Sequence, residues 1–135
     1  MSNQDTPQPT EIKLHQKSRI LEIAFADGKR FEFPCEFLRV YSPSAEVRGH
    51  GPGQEVLQVG KKDVEITAIE PVGTYAINLT FSDGHDSGIY SWTYLYDLGV
   101  NQAGLWEDYL QRMKAAGASR EPVTTSPIPI RPKSK

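Results

Sequence analysis

Cysteine is almost absent from this sequence, since Cys35 is the only one among 135 residues. A single thiol excludes a disulfide within the sequence and excludes a zinc or iron–sulfur site built from several of its own thiolates. Long hydrophobic runs are also missing, because no apolar stretch approaches the roughly 18–20 residues of a membrane span. The first residues lack the charged and then apolar pattern of a secretory signal. These absences predict a cytoplasmic protein with no membrane partner.

Positive charge is too scarce for a nucleic-acid-binding surface. The 15 Lys and Arg are outnumbered by 17 Asp and Glu, so the net charge is −2. Residues 117–135 carry four cations and one acid, which leaves the remainder at about −5. Nucleic-acid-binding proteins usually present a basic face, so we expect no nucleic acid partner.

Apolar periodicity is missing at both ends of the chain. Residues 1–10 and 117–135 are rich in Pro, Ser and Thr, and the second stretch is also basic. Such composition predicts disordered tails around a single domain at 11–116. We therefore expect removal of residues 118–135 to leave stability nearly unchanged.

Alternation with period two predicts strands at 11–17, 20–25, 31–33, 55–59, 64–69, 75–81 and 87–90. In the strand at 64–69, Ala68 is expected on the same face as Ile66, with Ile69 on the other. Helical patterns predict a short turn at 35–41, a helix at 92–98 between Ser91 and Gly99, and a helix at 103–116 that ends at Gly117. The Pro- and Gly-rich residues 42–53 are predicted to be a loop, and 71–73 a turn.

One pattern occurs twice, at residues 21–28 and 77–84: alternating apolar residues that end in Phe-x-Asp-Gly. Each Asp-Gly predicts a tight hairpin with positive φ angles, and each copy continues into a short strand and a helix. Two such units predict an α+β domain, with a twisted, mainly antiparallel β-sheet and two short helices packed on one face. The copies differ where the second turn ends in His85-Asp86, which suggests an additional role there.

His85 is the strongest candidate base or metal ligand, because Asp83 and Asp86 flank it. A carboxylate beside an imidazole can raise its basicity or help it hold a metal. The alternative is an aspartate that only forms the turn and an exposed histidine. A hydrolase triad using Ser87 or Ser91 would need a nucleophile elbow, and the sequence has none.

Two other features have structural as well as functional interpretations. Gly49, Gly51 and Gly53 could cradle an anion, but no Lys-Ser/Thr and no helical pattern follow them, so an exposed connection is favoured. The aromatic residues of the last third favour a core of helices on a sheet over a ligand cage.

Five blocks in order resemble one known family: Leu-x-Ile-x-Phe-x-Asp-Gly (21–28), Phe-x-Phe-Pro-x-x-Phe-Leu-Arg (31–39), Ser-Pro-Ser-Ala-Glu (42–46), Pro-Val-Gly-x-Tyr-Ala (71–76) and Phe-Ser-Asp-Gly-His-Asp-Ser-Gly-Ile-Tyr-Ser-Trp (81–92). They resemble the gamma-butyrobetaine hydroxylase-like N-terminal domain, formerly domain of unknown function 971. Its members occur alone in bacteria, ahead of the catalytic domain of carnitine-pathway dioxygenases, and joined to Mrp-like P-loop ATPases linked to iron–sulfur cluster assembly. The resemblance covers about residues 10–100 and implies a stand-alone bacterial member without the oxygenase domain.

In the dioxygenases this domain is similar to a zinc module with three cysteines and one histidine. Carried over to this sequence, the cysteine positions fall at Ser42, Ser44 and Val47, and the histidine falls at His85. Hydroxyls and a valine are poor zinc ligands. The resemblance therefore implies a lost zinc site, and we expect no cofactor.

We expect a non-catalytic accessory module, not an enzyme, that binds a protein partner in iron–sulfur protein maturation or beside a P-loop ATPase. The alternative is a metal site (zinc or iron) or small-molecule site centred on His85, with Asp83, Asp86 and either His50 or Ser44 contributing. The expected interaction surface comprises Arg39, Ser42, Ser44, Glu46, His50, Asp83, His85, Asp86, Tyr90 and Trp92.

Overall fold

A computed structural model describes residues 6–49 and 56–121. Its elements, in order, are β1 (Pro9–His15), β2 (Ile20–Phe25), β3 (Arg30–Pro34), α1 (Cys35–Val40), α2 (Ala45–Arg48), β4 (Ile66–Val72), β5 (Ala76–Phe81), β6 (Ile89–Ser91), α3 (Trp92–Val100) and α4 (Gln102–Ala116). The strands form two antiparallel sheets with the orders β1-β2-β3 and β4-β5-β6. The α+β class is confirmed, although the strands form two sheets where one was expected.

The chain repeats one unit of three strands and a helix, β1–β2–β3–α1 and then β4–β5–β6–α3. Both first strands have a register shift, at Thr10 in β1 and at Thr67 in β4. Each threonine hydroxyl donates to a carbonyl of the central strand, to Ala24 in one copy and Thr80 in the other, at 3.3 Å in both. The repeat therefore begins one strand earlier than the sequence pattern showed.

The two Asp-Gly turns have the same geometry. The backbone N–H of Phe25 donates to the carbonyl of Lys29 (2.8 Å), and that of Gly28 donates to Phe25 (3.0 Å). The second turn, at Gly84 and His85, has the same two bonds at 2.9 Å each. Only the glycines have positive φ, +92° and +91°, so these are type I turns followed by a glycine bulge and not the predicted turns with positive φ at both residues.

Each turn aspartate is also held by the helix of the other copy. Tyr96 of α3 donates its hydroxyl to Asp27 Oδ2 at 2.6 Å. Arg39 of α1 donates Nε to Asp83 Oδ2 at 2.9 Å. Arg39 and Tyr96 occupy equivalent positions, each directly after the aromatic–Leu pair of its helix. We call these two contacts the reciprocal clasp, and it joins the two copies.

One buried cluster connects both sheets with α1 and α3. Leu21 and Ile23 of β2 and Leu79 of β5 are completely buried, as is Leu95 of α3. Helix α4 adds a smaller cluster around Tyr109 and Met113. The two copies therefore share a core.

Several helix boundaries match the predictions. Ser91 caps α3 by accepting the Tyr94 N–H at 3.0 Å, and Gly117 ends α4 with φ +66°. The predicted end at Gly99 is wrong, because α3 continues to Val100. The reason for Gly99 is a close approach, since a Cβ there would lie 2.5 Å from the Phe31 ring.

The middle of the chain departs most from the sequence predictions. Residues 56–59 do not form the predicted strand, and the predicted loop contains α2. Strand β4 continues through Val72, so the turn falls at residues 73–75. The bulge at Thr67 leaves Ala68 exposed and packs Ile69 against the core, which reverses the expected faces.

Ordered segments extend into both predicted tails. Strand β1 already begins at Pro9. After α4, the Ser119 carbonyl accepts the Gly60 N–H at 2.9 Å, and Arg120 forms two bonds of 2.8 Å to the Glu36 carboxylate. The rest of the predicted tails, residues 1–5 and 122–135, lies outside the described residues. Within the described ranges no helix is long and apolar enough to span a bilayer.

Candidate functional site

His85 is enclosed, with 6% of its surface exposed. The second Asp-Gly turn places it against the segment between α1 and α2. Its Nε2 lies 2.9 Å from Ser42 Oγ, and its Nδ1 lies 3.1 Å from Glu46 Oε1. Both ring nitrogens are therefore engaged by the chain itself.

Hydrogen-bond chemistry fixes the tautomer of this imidazole. An ionised Glu46 can only accept, so Nδ1 carries the proton and Nε2 accepts the hydroxyl of Ser42. The Ser42 oxygen in turn accepts the Ser44 N–H at 3.2 Å. Burial lowers the pKa of His85, and the charge of Arg39 lowers it further, while Glu46 opposes them. The ring is therefore neutral at pH 7.

Ser42, His85 and Glu46 are hydrogen-bonded in the order of a hydrolytic triad, but the serine is buried and the acid is exposed, which is the reverse of a working triad. A triad needs an accessible serine and a shielded acid. Here Ser42 is 1% exposed, whereas the Glu46 side chain is 71% exposed. Gly88 covers the serine so closely that a Cβ there would lie 2.5 Å from Ser42 Oγ. No acyl substrate can reach this hydroxyl.

Neither of the two serines considered for a hydrolase triad, Ser87 and Ser91, is available to His85. Ser87 Oγ lies 2.7 Å from Ser44 Oγ, and Ser91 Oγ caps α3. Ser44 Oγ also accepts the Glu46 N–H at 3.1 Å as the cap of α2.

Asp83 is a structural ion beside this cluster. Its Oδ2 lies 2.9 Å from Arg39 Nε and 2.6 Å from Lys61 Nζ, and its Oδ1 accepts the His85 N–H at 3.2 Å. Burial alone would raise the pKa of this carboxyl. The Lys61 and His85 hydrogen bonds, with the charge of Arg39, instead lower that pKa from 3.8 to about 2.

The four positions related to the family's zinc ligands lie in one region, but they do not form a donor set. Ser42 contacts His85, Ser44 contacts Ser87, and Val47 is 6% exposed. Across residues 6–49 and 56–121, no group of three or more His, Cys, Asp or Glu side chains could hold a metal. Cys35 is buried, and burial raises the pKa of its thiol.

The side chains named for the alternative site do not converge either. Asp83 is bound to two cations, Asp86 is exposed, and His50 lies outside the described residues.

Half of the predicted interaction surface is interior. Tyr90 is completely buried and donates its hydroxyl to the Leu38 carbonyl at 2.6 Å. Glu46 and Asp86 are exposed, and Trp92 is half-buried with Nε1 bonded to the Thr74 carbonyl. Less than a tenth of the surface is exposed at Arg39, Ser42, Ser44, His85 and Tyr90, so these five side chains do not present a contact surface. A partner contact at the exposed members stays a prediction.

Sequence reasoning missed a second feature, a cleft of about 190 Å³ with Arg48 and Arg112 among its lining residues. These arginines come from α2 and α4, 64 positions apart in the sequence. Only the fold brings them together, and no local motif indicated the pair.

Comparison with known proteins identifies the family. A sequence profile described as Gamma-butyrobetaine hydroxylase-like, N-terminal, matches residues 12–96. The chain belongs to this family, which confirms the resemblance. No curated protein matches the sequence significantly.

Several solved structures are similar to this chain. One NMR solution structure has 55% identity and a TM-score of 0.77, covering 98% of each chain. A second has 45% identity and a TM-score of 0.76, covering 90% of this chain and 95% of the other. A crystal structure from Acidithiobacillus ferrooxidans, a protein with unknown function of the DUF971 family, has 39% identity and a TM-score of 0.58, covering 68% of this chain and 92% of the other.

Proposed function

We propose that this chain is a non-catalytic module that binds a protein partner. The observation that carries the proposal is the state of His85, which is 6% exposed with both nitrogens bonded to Ser42 and Glu46. A general base or metal ligand needs a nitrogen that faces the substrate or metal. The cluster of Ser42, His85 and Glu46 instead connects the second Asp-Gly turn to the start of α2.

An apolar groove supports the choice of a protein as the partner. It has a volume of about 450 Å³ and lies where α3 meets α4, with Val100, Ala103 and Trp106 on its walls. Val100 is 57% exposed. Exposed apolar surface of this kind is typical of protein interaction sites.

The association of family members with Mrp-like P-loop ATPases supports such an ATPase as the partner, in cytoplasmic iron–sulfur protein maturation. We also propose that the module acts without a bound cofactor.

Calorimetric titration of the purified chain with a purified Mrp-type ATPase tests this. We expect saturable binding that Val100→Glu weakens at least about tenfold, which corresponds to about 1.4 kcal/mol. Ala115→Glu adds the same charge at an exposed position of α4 that does not line the groove, and it should bind like the wild type. Absence of wild-type binding would overturn this partner, and equal effects of the two variants would overturn the groove.

Elemental analysis of the native protein tests the metal alternative centred on His85. We expect no stoichiometric metal. One equivalent of zinc or iron, lost in His85→Gln, would replace the proposal with a metal-binding function.

A further inference from the structure

The cleft noted above is built from five parts of the chain: the end of α1, helix α2, residues 56–58, α3 and α4. Its floor is apolar, because Val40, Val47 and Tyr109 are each 6% exposed or less. Its volume of about 190 Å³ is smaller than the roughly 300–1,000 Å³ of pockets for drug-sized ligands. The cleft therefore has room for a small ligand that combines one polar group with a short apolar part.

The walls of the cleft are fixed by hydrogen bonds to the backbone. Tyr41 donates its hydroxyl to the Leu105 carbonyl at 2.7 Å, and Tyr109 donates to the Gln58 carbonyl at 2.8 Å. Tyr94 donates to the carbonyl of Tyr41. Because these protons are already engaged, the phenols shape the cleft but do not supply its donors.

The available charge in the cleft is positive. Arg48 Cζ lies 5.8 Å from the Tyr94 ring centre, and Arg112 Cζ lies 5.9 Å from that of Tyr41. None of the lining residues within 6–49 and 56–121 is acidic. Burial raises the pKa of Tyr41 and of Tyr94, so both phenols stay neutral at pH 7.

One donor at the cleft has no acceptor in the described part of the chain. Arg112 Nε is buried and lies 3.2 Å from Asp108 Oδ2, but outside hydrogen-bonding geometry. The Asp108 side chain is itself 63% exposed. The guanidinium is ion-paired with Asp108, and its Nη2 donates to the Tyr41 hydroxyl at 3.3 Å. The buried Nε–H alone has no acceptor, and a ligand oxygen would supply one.

We propose that this cleft binds a carboxylate carried on a short aliphatic body. Two guanidinium groups match a carboxylate in charge and geometry. The apolar floor favours an aliphatic acid over a strongly hydrated inorganic anion. The carboxylate belongs either to a free small acid or to an acidic side chain of a bound peptide, and the chemistry of recognition is the same for both.

The test is an NMR titration of the ¹⁵N-labelled chain with sodium isobutyrate at constant ionic strength. Isobutyramide is the matched neutral probe, and inorganic phosphate is the matched anion without an apolar body. We expect saturable shifts at Val47, Leu57 and Tyr94, with isobutyrate binding at least about tenfold tighter than either control probe. Equal binding of the amide or of phosphate, or no saturable shift, would overturn the proposal.

Three variants locate the effect. Arg48→Gln and Arg112→Gln should each weaken isobutyrate binding at least about fivefold. Lys114→Gln removes a positive charge from the same helix, α4, at a position that does not line the cleft, and should bind like the wild type. If all three variants bind alike, the cleft is not the site.

The source of the carboxylate follows from a second probe, N-acetyl-glutamate α-amide. Tighter binding of this probe than of isobutyrate supports a peptide side chain, and the reverse supports a free acid. Val100 does not line the cleft, so Val100→Glu should leave isobutyrate binding unchanged. The inference can therefore be tested separately from the proposed protein partner.

Discussion

Asp83→Asn is the substitution that tests the reciprocal clasp most directly. The amide keeps the shape of the side chain and can still accept the His85 N–H. It removes the charge that faces Arg39 at 2.9 Å and Lys61 at 2.6 Å. Arg39 is only 7% exposed, so its guanidinium loses the ion that compensates its burial and keeps its bond to Gln58.

The structure sets the size of the effect. A pKa of about 2 instead of 3.8 corresponds to at most about 2.4 kcal/mol of stability. The Asp83 side chain is 24% exposed, so solvent screening reduces this contribution to about 1–2 kcal/mol. Leaving Arg39 without its counter-ion adds to the loss. We expect a total near 2 kcal/mol, or a decrease in Tm of about 10 °C.

Urea unfolding followed by circular dichroism between pH 3 and pH 7 measures this loss. Because the folded-state pKa is depressed, the contribution of Asp83 is complete above pH 3.8 and disappears as the pH falls through about 2. The difference between wild type and Asp83→Asn should therefore be constant from pH 5 to 7. At pH 3, about half of the part that depends on the pKa should have been lost.

Asp27→Asn is the matched control, because Asp27 holds the equivalent turn and its partner is the neutral, more exposed Tyr96. We expect a clearly smaller loss there. A loss below about 0.5 kcal/mol for Asp83→Asn, or a difference that does not change with pH, would refute the reasoning.

Three further substitutions test separate features by thermal unfolding. Gly84→Val should cost more than about 1 kcal/mol, because a β-branched residue resists a φ of +91°, and an unchanged Tm would contradict the turn geometry. Gly99→Ala should destabilise by about 1–2 kcal/mol against the Phe31 ring despite better helix propensity, whereas Gly104→Ala, with nothing within 4 Å, should be neutral or stabilising. Arg120→Ala leaves the Glu36 carboxylate without its cation and should cost about 1–3 kcal/mol, so a wild-type Tm would show that this contact is not stabilising.

Local signals predicted the parts of the fold that local chemistry determines. The alternation at Ile20–Phe25 and the Ser91 cap specify their own conformation within a few residues, and the structure confirms both. The Asp-Gly pairs predicted the positions of both hairpin turns correctly, but not the turn type, because only the glycines have positive φ. The duplicated pattern also predicted the second hairpin and its helix from the first.

Long-range contacts explain what the sequence did not reveal. Gly99 has the appearance of a helix end, but its reason is a ring from β3 that comes 68 positions earlier. The bulge at Thr67 shifts the register of β4 by one residue, and a one-residue shift exchanges the two faces of a strand. The residues after Gly117 lack periodicity, yet Arg120 is ordered by a carboxylate at position 36.

The candidate site, too, was predicted in part by local signals and depends in part on long-range contacts. The motif at residues 81–92 identified His85, and Ser42 was placed beside it through the family resemblance. Whether those groups face solvent depends on packing by Gly88 and by α2, which no spacing encodes. The cleft between Arg48 and Arg112 depends entirely on how α2 and α4 meet.

The exchange of Arg39 and Tyr96 between the two copies has a consequence for how the molecule assembles. A polypeptide with residues 6–49 alone would contain Asp27 without Tyr96 and Arg39 without Asp83. Neither half contains both partners of either contact, so the protein should fold as one cooperative unit. Two fragments divided between residues 49 and 56 should gain structure only when they are mixed.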